Sequence, residues 1–224
     1  MKLLGIACHV VILLASLGNA SGQSFANLNF ENTTITGSIA TLPGWGIYGF
    51  PYGNPTSIYF NTIALDAPAV TLHGVNSPFY PAIQGSYSVL LQGGTISGGN
   101  VYNTNGASIY QTGQIPLTSQ SLIYLGSSLQ VTFNGQTLSS VAIGSTTNYT
   151  AWGVNITPYA GQTGELRFTT PWQSVGIIDG ILFSPTPVPE PNALGIFGVG
   201  ILLLFWKKTL SFVGVLLTVT RRIV

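Results

Sequence analysis

The side chains in this chain that could do chemistry are few. One of its two histidines, His73, lies outside the apolar N-terminal stretch. A Ser-His-Asp arrangement would need His73 together with Asp66 or Asp179 and one of many serines. No G-x-S-x-G elbow presents such a nucleophile, so His73 reads as a surface or strand-end histidine. A glycosidase needs two carboxylates facing one cleft. Glu31, Asp66, Glu165 and Asp179 are the candidates, and nothing in their spacing pairs them. Glu165 stands two positions from Arg167 in an alternating stretch, where the two would face each other on the exposed side of a strand.

Asp179 differs from the others because it interrupts "VGIIDGILF", an otherwise apolar run. Burying a carboxylate is costly unless donors or a cation compensate it. The expectation is a bulge beside Gly180 where backbone donors reach Asp179; the alternative is a calcium ligand, although calcium wants six to eight oxygens and acids are scarce here. No phosphate loop, metal cluster or cofactor motif appears, and no cofactor is expected. Aromatic residues offer binding chemistry. "LPGWGIYGFPYGNP" gathers Trp45, Tyr48, Phe50 and Tyr52 in a Gly/Pro-rich loop, and Trp152 and Trp172 fall near other strand ends. Flat rings beside Asn and Gln amides suit a neutral polysaccharide, so Trp45, Tyr48, Trp152 and Trp172 are candidate sugar contacts. The structural alternative has the tryptophans capping the two ends of a core.

The elements that would position these residues are strands. Only 5% of the residues are charged, against roughly 25% in average proteins. From Phe25 to Phe183 the apolar period is two. "SYSVLLQ" sets Tyr87, Val89 and Leu91 on one face, and "LQVTFNGQTL" sets Leu129, Val131 and Phe133 on one face before a hairpin turn at Asn134-Gly135. "GELRFTT" turns Leu166 and Phe168 inward, and "VYNTNGASIY" repeats the turn signal at Asn105-Gly106. Further strands are expected in "SFANLNF", "SIYFNTIAL", "PAVTLHG", "SLIYLG", "NYTAWGVNI" and "VGIIDGILF". Many short strands between Gly, Pro, Asn and Ser clusters predict an all-β, two-sheet β-sandwich or jelly roll.

The termini are of another kind. Lys2, the apolar "LLGIACHVVILLASL" and the small residues Gly18 to Ala20 read as a signal peptide over residues 1–20. Its removal would take Cys8, the only cysteine, and leave a body without disulfides or thiolate metal sites. The ectodomain would span 21–184, with Arg167 as its single basic residue, which excludes nucleic-acid binding. A proline-rich linker over 185–192 would hold the sandwich away from the tail. The tail, 193–224, begins with the apolar run Ala193 to Trp206, about 21 Å long as a helix. It is a transmembrane candidate backed by Lys207 and Lys208, which would stop at the cytoplasmic face of an inner membrane.

Val188-Pro189-Glu190-Pro191, then a short Gly- and Leu-rich span, then Lys207-Lys208, resembles the PEP-CTERM sorting signal. The resemblance implies export, anchoring in the inner membrane with the ectodomain in the periplasm, and processing near the motif by an exosortase. Release to the cell surface or biofilm matrix would come next. Such tails usually stop soon after the basic residues, whereas this one continues to Val224. More loosely, "ASIYQTGQIP", "NYTAWGVNITPYAGQTGELRFTT" and "IIDGILFSP" are similar to the closing strands of galactose-binding-like jelly rolls, over about Ala107 to Pro185. The leading expectation is therefore a non-catalytic component of the cell surface or exopolysaccharide matrix. The second is a carbohydrate-binding module using exposed aromatics, and the third an exported hydrolase.

Overall fold

The computed structural model describes residues 23–49, 57–63, 68–94, 96–97, 100–101 and 106–188. Strands dominate them, and two sheets face each other across one core. The longer sheet has nine strands in the order β1 (Ile35–Thr36), β2 (Ile39–Thr41), β4 (Ser57–Phe60), β5 (Ala69–Gly74), β6 (Tyr87–Gln92), β16 (Val175–Ser184), β10 (Ser121–Gly126), β14 (Thr150–Asn155) and β13 (Ser140–Ser145). The shorter sheet runs β12 (Gln136–Leu138), β11 (Gln130–Phe133), β15 (Thr163–Thr170), β9 (Ala107–Gln114) and β3 (Gly46–Tyr48). A separate pair joins β7 (Ile96–Ser97) to β8 (Asn100–Val101). Pairing is antiparallel except between β4 and β5. No helix among the described residues is long and apolar enough to cross a membrane; residues 1–22 and 189–224 lie outside them.

The short sheet follows the alternation in the sequence. Leu166 and Phe168 of β15, Val131 and Phe133 of β11 and Ile109 of β9 are buried, while Thr163 is exposed and Glu165 and Arg167 are half-buried on the other face. Asn134 (φ 48°) and Gly135 (φ 77°) close the β11–β12 hairpin, since both central positions of this turn need the left-handed region that Asn and Gly tolerate. Tyr124 of β10 fills the centre, its ring 5.4 Å from Phe168, and its hydroxyl accepts from the Leu129 amide at 3.2 Å.

The structure departs from the sequence reading in several places. "SFANLNF" forms a single bridge, Ser24 to Gln114, and otherwise runs as loop. Its backbone is held instead by the buried Gln111 side chain, which accepts from Ala26 N (2.6 Å) and donates to Ala26 O (3.1 Å) and Gly44 O (2.7 Å). Of the expected turn at Asn105-Gly106, Asn105 lies outside the described residues; among the described ones β8 pairs with β7, and β9 pairs with β15 and β3. β13 has no counterpart in the reading; it is an edge strand with four of its six residues exposed, so no burial pattern marks it.

β5 and β6 show the largest difference. Val70 and Leu72 enter the main core, as do Val89 and Leu91, yet Thr71, His73, Ser88, Leu90 and Gln92 on the opposite face are buried as well. The connection 75–86 lies against that outer face, and its backbone and side chains reach Ser88, His73 and Asp179.

Candidate functional site

Beneath the 75–86 connection is a row of polar side chains. His73 is register partner to Ser88 on β6, and Asp179 of β16 lies one step beyond the Ile178–Val89 pair. Ser88 Oγ donates to Asp179 Oδ2 at 2.7 Å. The same oxygen accepts from Gln84 N at 3.0 Å, and Oδ1 accepts from Gly180 N at 2.7 Å. The β10–β16 register shifts between Ile123 and Leu125, so β16 bulges beside Asp179, and Gly180 takes the positive φ (53°) that the bulge requires. Burial pushes the Asp179 carboxyl above its usual value, against the Ser88, Gln84 and Gly180 donors that favour the ion; the Glu31 charge raises it further. Donor hydrogens converge on both oxygens, an arrangement that satisfies an anion with protein groups where a calcium site would need more oxygens. Among the described residues no group of three or more His, Cys, Asp or Glu could hold a metal.

His73 stands one residue from the end of β5, the strand-end position expected, but it is fully buried rather than at the surface, because the 75–86 connection covers it. Its Nε2 pairs with Thr71 Oγ1 at 2.9 Å and its Nδ1 with Ser77 Oγ at 2.7 Å, and the Tyr80 ring stands edge-on to it. Burial lowers its pKa, opposed by a hydrogen bond with the Thr62 backbone. His73, Ser88 and Asp179 are the residue types of a nucleophilic triad in the wrong order: the serine hydroxyl donates directly to the carboxylate, and the imidazole nitrogens go to Thr71 and Ser77.

The other acids are engaged too. Glu31 Oε1 accepts from the amides of Ser86 (2.8 Å) and Tyr87 (3.1 Å), securing the end of the same connection. Glu165 pairs with Arg167 Nε at 2.8 Å, as the alternation implied, and Arg167 Nη1 donates to Ser108 Oγ at 2.9 Å. The Arg167 guanidinium lies 4.3 Å from the Tyr110 ring centre. Asp66 lies outside the described residues.

The aromatic candidates separate. Trp45 is buried in the core, tilted against Phe30 (5.6 Å) and Phe168 (6.3 Å), with Nε1 donating to Asn27 O at 3.0 Å. This corrects its reading as a sugar contact, because the chain through Pro43–Gly44 folds the indole inward between the sheets. Trp152 is half-buried on the inner face of β14, opposite Tyr124, and donates to Gly126 O at 3.1 Å. Trp172 is half-buried in the β15–β16 turn. Tyr48 alone of the four is exposed, at 40%, on the edge strand β3. Phe50 and Tyr52 lie outside the described residues. The reading missed Phe79 (48% exposed) and Tyr80 (39%), at the tip of the 75–86 connection; the flanking Pro78 and Pro81 were the available signal.

Of the tail motif only Val188 is described, and Pro189, Glu190, Pro191, Lys207 and Lys208 lie outside. The chain leaving β16 stays on the sandwich past Ser184. Thr186 O accepts from Ser121 Oγ at 2.7 Å, Thr186 N donates to Ser184 Oγ at 3.1 Å, and Val188 sits over Gly153.

No protein-family model matches the chain, no curated protein matches it, and no solved structure matches it.

Proposed function

We propose that this is an exported, non-catalytic protein of the cell surface or exopolysaccharide matrix. Its sandwich is of the jelly-roll, galactose-binding-like type, and a PEP-CTERM-like tail holds it in the inner membrane until an exosortase processes it. One observation carries the non-catalytic part: every described acid and histidine is bound up in the fold. Glu31 and Asp179 hold the 75–86 connection, Glu165 pairs with Arg167, and His73 lies between two hydroxyls. General acid-base chemistry needs such a group facing substrate. The charge-poor, signal-led, proline-linked sequence supports the sorting part. The test is the intact mass of the mature protein from its own host, with and without the sorting protease. A product ending near Pro189 to Pro191 that disappears without the protease supports the reading; a chain running to Val224 in both overturns it.

A second reading, carbohydrate binding, is favoured by Tyr48. It projects from β3 opposite Ser108, next to the row that carries Tyr110 and Arg167. The same sheet face continues from Tyr48 across Ser108 to the hydroxyl of Thr169, two strands away, and to the amide of Gln130 and the hydroxyl of Thr132 on the third strand. Retardation of the ectodomain in gels containing neutral polysaccharide, lost in Tyr48→Ala, would support it. Equal mobility of both proteins with and without polysaccharide would overturn it.

A further inference from the structure

We propose that Ser184–Val188 is a strap docked on the outer face of the nine-stranded sheet, and that its release controls proteolytic access to the Pro187–Val188 bond, where the sorting motif begins. The regulatory role rests on the processing reading above; the docking does not. The strap crosses β10 first. Ser121 lies on the outer face, alternating with the core residues Leu122 and Tyr124, and its hydroxyl donates to the Thr186 carbonyl at 2.7 Å. Ser184 Oγ meets Thr186 Oγ1 at 2.7 Å and accepts from Thr186 N at 3.1 Å, which bends the chain back over the sheet directly after β16.

The strap then reaches β14. Gly153 lies between Trp152 and Val154, whose side chains face inward, so its missing side chain leaves a notch on the outer face. Val188 occupies the notch beside Ile143. A Cβ at position 153 would stand 3.1 Å from Val188 Cγ1, 3.2 Å from Val188 Cγ2 and 3.0 Å from Ile143 Cγ2. Gly153 has no left-handed φ, so its value here is space rather than backbone freedom. Packed atoms tolerate little such crowding, so an added methyl at position 153 would press on both Val188 methyls and loosen their seat in the notch.

A protease needs its substrate extended in an active-site cleft, and a strand pinned by a hydrogen bond and a seated side chain cannot enter one. Where opening and closing are fast, cleavage tracks the population of the released strap. Ser121 and Gly153 would thereby set the rate of processing without touching the protease.

The experiment uses the full chain in detergent and an endoprotease specific for the bond after proline. It measures hydrolysis of Pro187–Val188 by intact mass. Gly153→Ala and Ser121→Ala are each expected to raise the initial rate about fivefold, with the thermal midpoint of the sandwich little changed. Gly144→Ala serves as the control: it lies on the neighbouring edge strand with nothing within 4 Å of the added Cβ, and its rate should equal that of the wild type. Equal rates in all four proteins would overturn the strap. Should Gly153→Ala lower the midpoint substantially, Ser121→Ala decides. Host processing is read separately: rapid cleavage of the variants in vitro with no cleavage in the host would remove the processing reading and leave the strap standing.

Discussion

Ser88 Oγ donates to Asp179 Oδ2 across 2.7 Å, joining two strands whose residues lie 91 positions apart, while Ile83 N donates at 2.8 Å to the same hydroxyl. One serine thus fastens the 75–86 connection to the carboxylate beneath it. Removing the hydroxyl leaves Ile83 N without its acceptor and Asp179 without one donor, in a place closed to water. Ser88→Ala should cost about 1–3 kcal/mol by urea unfolding. Asp179→Asn should cost a similar amount, because an amide presents hydrogens to one of the two positions where donors already converge.

The pH dependence comes from two opposed groups. His73 has a lowered folded pKa, so below about pH 6.5 the unfolded chain takes up a proton that the folded one resists, and stability is lost on acidification. Asp179 has a raised folded pKa. As pH falls through that value toward 3.8 the folded chain binds the proton first, and stability rises. The two partly cancel in the wild type. In Asp179→Asn the histidine acts alone, and the urea midpoint should fall more steeply below pH 6.5 than in the wild type. In His73→Gln the fall should shrink or reverse. Parallel profiles in all three proteins would contradict this assignment.

Gln111 serves as a substitute strand for the N-terminal segment. Gln111→Ala removes three hydrogen bonds, to Ala26 N, Ala26 O and Gly44 O, and should cost about 1–3 kcal/mol. Hydrogen exchange at the Ala26 amide should speed up more than exchange at core amides such as Val131, which distinguishes local release from general loosening.

Trp45 and Tyr48, three positions apart, should behave oppositely. Trp45→Ala empties the space against Phe30 and Phe168 and should cost about 3–5 kcal/mol. Tyr48→Ala on the edge strand should cost within about 1 kcal/mol. Unfolding curves of the two variants, compared on one protein preparation, check the pair.

The sequence by itself determined the all-β class, the β11–β12 hairpin at Asn134-Gly135, the inward set Leu166 and Phe168, and the Glu165–Arg167 pair. Each rests on residues within one strand or one turn, where the two-residue period and the φ tolerance of Asn and Gly act directly. Only the tertiary structure decided that His73, Ser88 and Asp179 form one row, that Trp45 turns inward and Tyr48 outward, and that Val188 finds the notch at Gly153. These depend on which distant strands become neighbours and on which loop covers a sheet face. A period of two separates the faces of a strand, but it does not say whether a connection will later bury the second face. For β5 and β6 the 75–86 connection did so, and polar residues of the kind that usually mark an exposed surface became its fastenings.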